Sequence, residues 1–214
     1  MQQNKKSDVT TTTAPLASEA IRSLGAVLIV VFATLTAISG MMKSTSEENR
    51  MIAHNKHTSY SDWYQAKSIK QILKENELDY LESMLATGVD AKGSDIIKNK
   101  IKDTKALILK YNAEKTELLI GSSQVPKEYW AQDLDGEMGK IVGLREWELL
   151  ITDYEIAIKK FNLGAIFFQI CIVLGAVCLI LYSNPKLQKV FVFLMICFGT
   201  IGLAISGYGL ALSP

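Results

Sequence analysis

Two kinds of hydrophobic pattern alternate along this chain. In 24–42, 161–183 and 190–212 apolar residues run almost unbroken, with no Asp, Glu, Lys, Arg or His among them. The first run, LGAVLIVVFATLTAISGMM, would make ~28 Å of helix, close to the ~30 Å of a bilayer hydrocarbon core. A transmembrane helix is therefore expected over 23–42. A signal peptide is the rival reading, because Lys5, Lys6 and Arg22 precede the run, yet the run exceeds the roughly 7 to 15 residues of a signal core. Further spans are expected over 161–183 and 190–212, joined by a turn at 184–189. The first 22 residues, with their TTTTAP run, read as a disordered polar tail.

Between the first two spans, 43–160 shows the other pattern: apolar residues spaced by three and four among strong helix formers. Thr45 and Glu48 offer a capping box, or the first span simply continues; either way helix is expected to about Thr87, where Gly88 stops it. Ser94 is the expected N-cap of the next helix, whose seam is Ile97, Ile101, Ile108, Tyr111 and Leu118 and which ends near Gly121. An irregular stretch, 121–139, follows. The last helix, expected from about Lys140 to Ser183, carries Leu144, Trp147, Ile151, Tyr154, Ile158 and Phe161 at alternating three and four residues.

At 1.5 Å per residue the outgoing arm would be ~65 Å long and the returning helices ~40 Å plus ~30 Å, so the arms match. The expected fold is an all-α membrane protein: three transmembrane helices, with a long antiparallel, coiled-coil-like helical hairpin between spans one and two. The break in the returning arm falls level with Trp63. Trp63, Tyr64, Gln65, Ala66 and Lys67 should then face Tyr129, Trp130, Asp133, Asp135 and Glu137, either as an aromatic plug over a helix break or as a ligand or partner site.

Each span carries a stripe of small residues: Ala26, Ala33, Ala37 and Gly40; Gly164, Cys171, Gly175 and Cys178; Gly199, Gly202, Ser206 and Gly209. Such faces let helix backbones approach closely in lipid. They pack the spans within one subunit, or at least one joins neighbouring subunits. Apart from Asn162 at the edge of the second span, Gln169 is the only strongly polar side chain within the spans and is expected to hydrogen-bond another helix.

The averages, 49% hydrophobic and 21% charged, resemble those of a soluble domain and hide this partition. Of 45 charged side chains, 38 lie in 43–160, 18 basic and 20 acidic. That balance fits helices that mate with each other and argues against nucleic acid. Cys171, Cys178 and Cys197 all lie inside spans, so no disulfide framework is implied. His54 and His57 form H-x-x-H on a helix, a weak zinc pair without a third ligand nearby. No phosphate-cradling glycine loop and no nucleophile, base and orienter set is present, so neither cofactor nor catalytic activity is expected. The spans lack the ionisable groups of coupled carriers, though glycine and serine can line a passive conduit.

WYQAKSIK, residues 63–70, resembles the signature opening the stalk of an uncharacterised prokaryotic membrane family catalogued as domain of unknown function 4337. Lys110, Tyr111, Glu114, Lys115 and Glu117 are similar to its later K-Y-x-x-E-K-x-E stretch, and the closing apolar hairpin is similar as well. The resemblance implies a three-span protein with a helical excursion and supplies no catalytic residues.

The expected function is a homo-oligomeric scaffold or assembly protein of the bacterial inner membrane, its partners being the bilayer, further copies of itself and an envelope protein. The alternatives are a pore-forming oligomer with the stalk as vestibule and an accessory subunit of a larger envelope complex. Lys5, Lys6, Arg22, Lys186 and Lys189 place the N-terminus and the 184–189 turn in the cytoplasm and the stalk in the periplasm.

Overall fold

The computed structural model describes residues 13–88, 90–134, 136–181 and 184–213. Four long helices dominate: α1 (Thr13–Ala86), α2 (Ala91–Ile120), α3 (Leu144–Ile180) and α4 (Pro185–Leu212). Between α2 and α3 lie two single 3-10 turns, Ser122–Gln124 and Lys127–Tyr129, and a two-residue antiparallel pair, β1 (Asp133–Leu134) with β2 (Glu137–Met138). The chain divides into one unit made of 1–48 and 153–214 and another made of 49–152. Three helices are long and apolar enough to cross a membrane: α1 from Glu19, α3 and α4.

Several boundaries differ from those read in the sequence, each for a local reason. The backbone is helical from Thr13, so the expected tail over 1–22 lies outside the described residues only as far as residue 12, and Pro15 is tolerated in a first turn whose N–H groups need no intrahelical acceptor. Thr45 does not start a new helix; its hydroxyl donates to the Met41 carbonyl (3.2 Å) inside a continuous α1. α1 ends at Ala86, before Gly88 at φ 86°. Asp90 rather than Ser94 caps α2, its carboxylate accepting from the Gly93 N–H, while the Ser94 N–H already makes a helical bond to the Asp90 carbonyl (2.8 Å). α3 starts at Leu144, not Lys140. The expected 184–189 turn is mostly helix: Pro185, whose missing N–H costs nothing at a first helical position, opens α4. Gln188, expected in that turn, is fully buried and its amide donates to the Cys178 carbonyl (3.4 Å). Ser183 and Pro214 lie outside the described residues.

In the first unit, α3 buries Ala157, Phe161, Gly164, Phe168, Cys171, Gly175 and Cys178, alternating four and three residues apart. α4 buries Gln188, Val192, Met195, Gly199 and Gly202 with the same alternation. Small and aromatic residues interlock: Phe32 stacks on Phe168 at 6.1 Å, a Cβ at Gly199 would overlap the Phe32 ring, and one at Gly175 would overlap Ile29. Ser206 fills the space over Gly164, and Phe168 covers Gly202. Gly209 closes against Ala157 and Lys160. The small faces of α3 and α4 are thus consumed within the chain. That of α1 is not: Ala26, Ala33, Ala37 and Gly40 are exposed, and nothing comes within 4 Å of a Cβ built on Gly40.

In a bilayer, where lipid would supply no hydrophobic drive, such interlocking would hold the helices together. Gly199→Val should cost about 1–3 kcal/mol through overpacking against Phe32. Gly207→Val, where nothing lies within 4 Å, should leave the detergent melting temperature near that of the parent. Equal tolerance of both substitutions would contradict this packing.

Candidate functional site

In the second unit the hairpin is read directly from its cross-links. Lys67 meets Glu114 and Gln71 meets Lys115, whereas further along α1 Glu77 meets Lys100 and Glu82 meets Lys105, so the later stretch of α1 meets the earlier stretch of α2 and the two helices run antiparallel. Away from the helix break these pairs are partly or largely exposed. There, hydrogen bonding to Lys74 lowers the Glu77 carboxyl from its ordinary range, and the same contact raises Lys74.

Toward the break the contacts become buried. Helical periodicity puts Tyr60, Trp63, Tyr64 and Lys67 on one side of α1. Tyr60 is buried with Leu118 and Ile141, and Trp63, Tyr64, Leu134, Leu144 and Trp147 pack around them. Tyr60 presents its ring edge-on to both Trp63 (5.9 Å) and Trp147 (6.3 Å). One turn further, the Lys67 ammonium lies 2.6 Å from Glu114 Oε2, with both side chains largely buried, and 5.9 Å from the centre of the Tyr111 ring. Lys115 reaches back over Tyr64 (5.3 Å) and donates to Gln71 (3.2 Å). Lys110 stands 3.9 Å from Glu114.

The second carboxylate on this side of α2, Glu117, is fully buried and does a different job. Its Oε1 accepts from the Ser122 hydroxyl (2.6 Å), and its Oε2 accepts from the backbone N–H groups of Ala131 (3.0 Å) and Gln132 (2.8 Å). Ser122 Oγ in turn accepts from the Ile141 N–H (3.0 Å), and the Ser122 N–H donates to the Ile141 carbonyl (2.8 Å). One side chain therefore ties the outgoing leg, the middle and the returning leg of 121–143 to the end of α2. Gly121, at φ 88°, is forced: a Cβ there would sit 2.6 Å from Glu146 Oε2 and 2.9 Å from the Gly143 nitrogen. Glu146 accepts from the Gly143 N–H (3.0 Å) and from Ser123 (2.6 Å), which caps α3 and sets its start.

The expected pairing of Trp63 with Trp130 gives way to two separate placements. Trp130 is turned into its own loop, donating to the Ser122 and Val125 carbonyls (3.1 and 3.0 Å), with its ring over Gly139 and Lys127 5.8 Å away. An indole N–H needs an acceptor once buried, and the loop backbone offers two. Gln65 and Ala66 are exposed, rotated off the packed face. Asp133, Glu137 and Tyr129 are exposed too, and Asp135 lies outside the described residues. Ile151, Tyr154 and Ile158 continue the α3 seam half-buried. His54 and His57 lie one turn apart on α1, and among the described residues no group of three His, Cys, Asp or Glu side chains is placed to hold a metal. Gln132 Oε1 and Trp147 Nε1 are buried without a partner among the described residues.

The arrangement is a mechanical lock: it fixes a loop on a helix end. Sequence reading missed Glu117, Ser122 and Glu146, since a carboxylate in a charged helix reads as solvated surface. Glu117→Ala should leave one buried hydroxyl and two buried N–H groups unanswered and cost about 2–4 kcal/mol. Amide exchange over 121–143 should rise selectively; unchanged protection there would contradict the lock.

Beside the helix break, the residues that join the hairpin arms carry the family likeness, for Tyr64 and Lys67 of one motif meet Tyr111, Glu114 and Lys115 of the other. No curated protein and no solved structure matches the chain. A family described as Domain of unknown function (DUF4337) matches residues 22–212, nearly the whole chain, and the protein belongs to that family.

Proposed function

We propose that this protein is a homo-oligomeric scaffold of the bacterial inner membrane, with its N-terminus and the α3–α4 connection in the cytoplasm and its hairpin in the periplasm. The observation that carries the reading is Gln169. It is exposed on α3, eight residues beyond Phe161 and therefore ~12 Å into the span, and makes no hydrogen bond among the described residues. An amide facing hydrocarbon alone costs roughly 2 kcal/mol or more, whereas a second copy supplies both donor and acceptor. Asn162, seven residues earlier, is exposed on the same side, and the unused small face of α1 offers a further close-approach surface.

The same spacing favours a second reading, a pore. In a ring with this face turned inward, Asn162 and Gln169 would line the axis. A steady single-channel conductance in planar bilayers would favour it; a sealed bilayer at full protein loading would favour the scaffold.

Gln169→Leu removes the polar contact while suiting lipid. In mild detergent it should shift the particle toward monomer, and Gln169→Asn should retain part of the larger mass. An unchanged mass for Gln169→Leu would remove Gln169 as the contact that joins copies.

A further inference from the structure

From the hairpin's two outer faces we infer a head-to-tail contact between copies, in which the back of α1 of one copy seats in a groove on the back of α2 of the next. The inference rests on the oligomeric reading above and adds which surfaces meet. On α2, Leu109 and Ala113 join Ile120, Val125, Pro126 and Tyr129 around an open, mainly apolar groove of about 480 Å³. Its rim is uncharged, formed by Asn112, Thr116 and Gln124. Leu109 is 70% exposed and Tyr129 60%. On α1, the side opposite the Tyr60–Lys67 line carries Ile69, Ile72 and Leu73, each more than half exposed, with Tyr80 two turns beyond. Neither surface is covered by any described part of the chain.

Three observations select a second copy as the occupant. The first is level. The Lys67–Glu114 and Gln71–Lys115 contacts put Ile69, Ile72 and Leu73 beside 111–116 of the same hairpin. Copies standing side by side in one membrane keep equal levels, so the α1 patch of one copy comes opposite the groove of its neighbour without sliding. The second is charge. Averaged over the antiparallel helices, the Glu77–Lys100 and Glu82–Lys105 pairs set Asp79 level with about residue 103, beside Lys102. Both are exposed and neither has an ion-pair partner among the described residues, so an α1-to-α2 contact brings an unused acid toward an unused base. The third is chemistry: apolar residues on one face meet an apolar groove with a neutral rim, with no charge to bury. Because the two faces differ and lie on opposite sides of the hairpin, each copy gives one and receives the other, and repetition closes a ring when the rotation permits.

The test uses full-length chains in membranes. One copy carries Leu73→Cys and one tag; a second carries Leu109→Cys and another tag. Both positions are exposed, so neither substitution disturbs buried packing. After coexpression and treatment with a short bismaleimide, a covalent pair bearing both tags should exceed, several-fold, that from tagged parents holding only Cys171, Cys178 and Cys197. Same-tag pairs through position 73 in place of the mixed pair would overturn the head-to-tail contact in favour of a two-fold one. An oligomeric mass with no mixed pair would overturn this contact and leave the oligomer standing. A monomeric mass would remove both.

Discussion

One contact line along α1 constrains everything else. Gly25, Phe32, Ser39 and Ser46 are buried in the first unit, and Ala53, Tyr60 and Leu81 in the second, with half-buried Lys67 and Lys74 filling the two intervening places. The spacing is seven residues throughout. An α-helix of 3.6 residues per turn drifts by ~20° per seven residues, so only partners that follow the drift can stay on such a line. The chemistry along it changes with its neighbours. A glycine and a phenylalanine serve where small faces interlock, and two lysines serve where carboxylates pair with them, Glu114 across the hairpin and Glu77 on α1 itself.

The lysines show how a polar group is admitted to a packed line. Lys67 is answered by Glu114, with the Tyr111 ring beside it; Lys74 is answered by Glu77 on its own helix. A buried pair of this kind contributes little net stability compared with apolar packing, but breaking it leaves an unpaired charge, so it resists shifts of register. Glu117 extends the logic to the loop. With Ser122 and two backbone N–H groups as its partners, it holds an irregular segment whose own described structure is two 3-10 turns and a two-residue strand pair.

Much of this was legible from spacing alone. Charge-free runs marked the three apolar helices, Gly88 marked the end of α1, and matched arm lengths implied a hairpin. What escaped depended on rotation or partner rather than composition. Gln65 sits between two packed residues in sequence, yet a helix turns it outward; Trp130 looked like a partner for Trp63 until its indole N–H found two loop carbonyls. Glu117 left one trace, its place beside the seam residue Leu118 inside the second family motif. Gln188 fell in the turn expected over 184–189, whereas Pro185 at a first helical position starts a helix there.

Both levels of the molecule leave faces unspent. In the apolar unit these are Gln169 and the small stripe of α1; in the hairpin they are the back of α1 and the groove of α2. A single chain that satisfied itself would have hidden the Gln169 amide and its exposed isoleucines. The proposed self-association would account for all of these together. The most direct measurement is a count of copies per particle in native membranes, by stepwise photobleaching of a fluorescent fusion at low expression. The account predicts several bleaching steps per spot, with a fixed maximum; spots that bleach overwhelmingly in one step would contradict it.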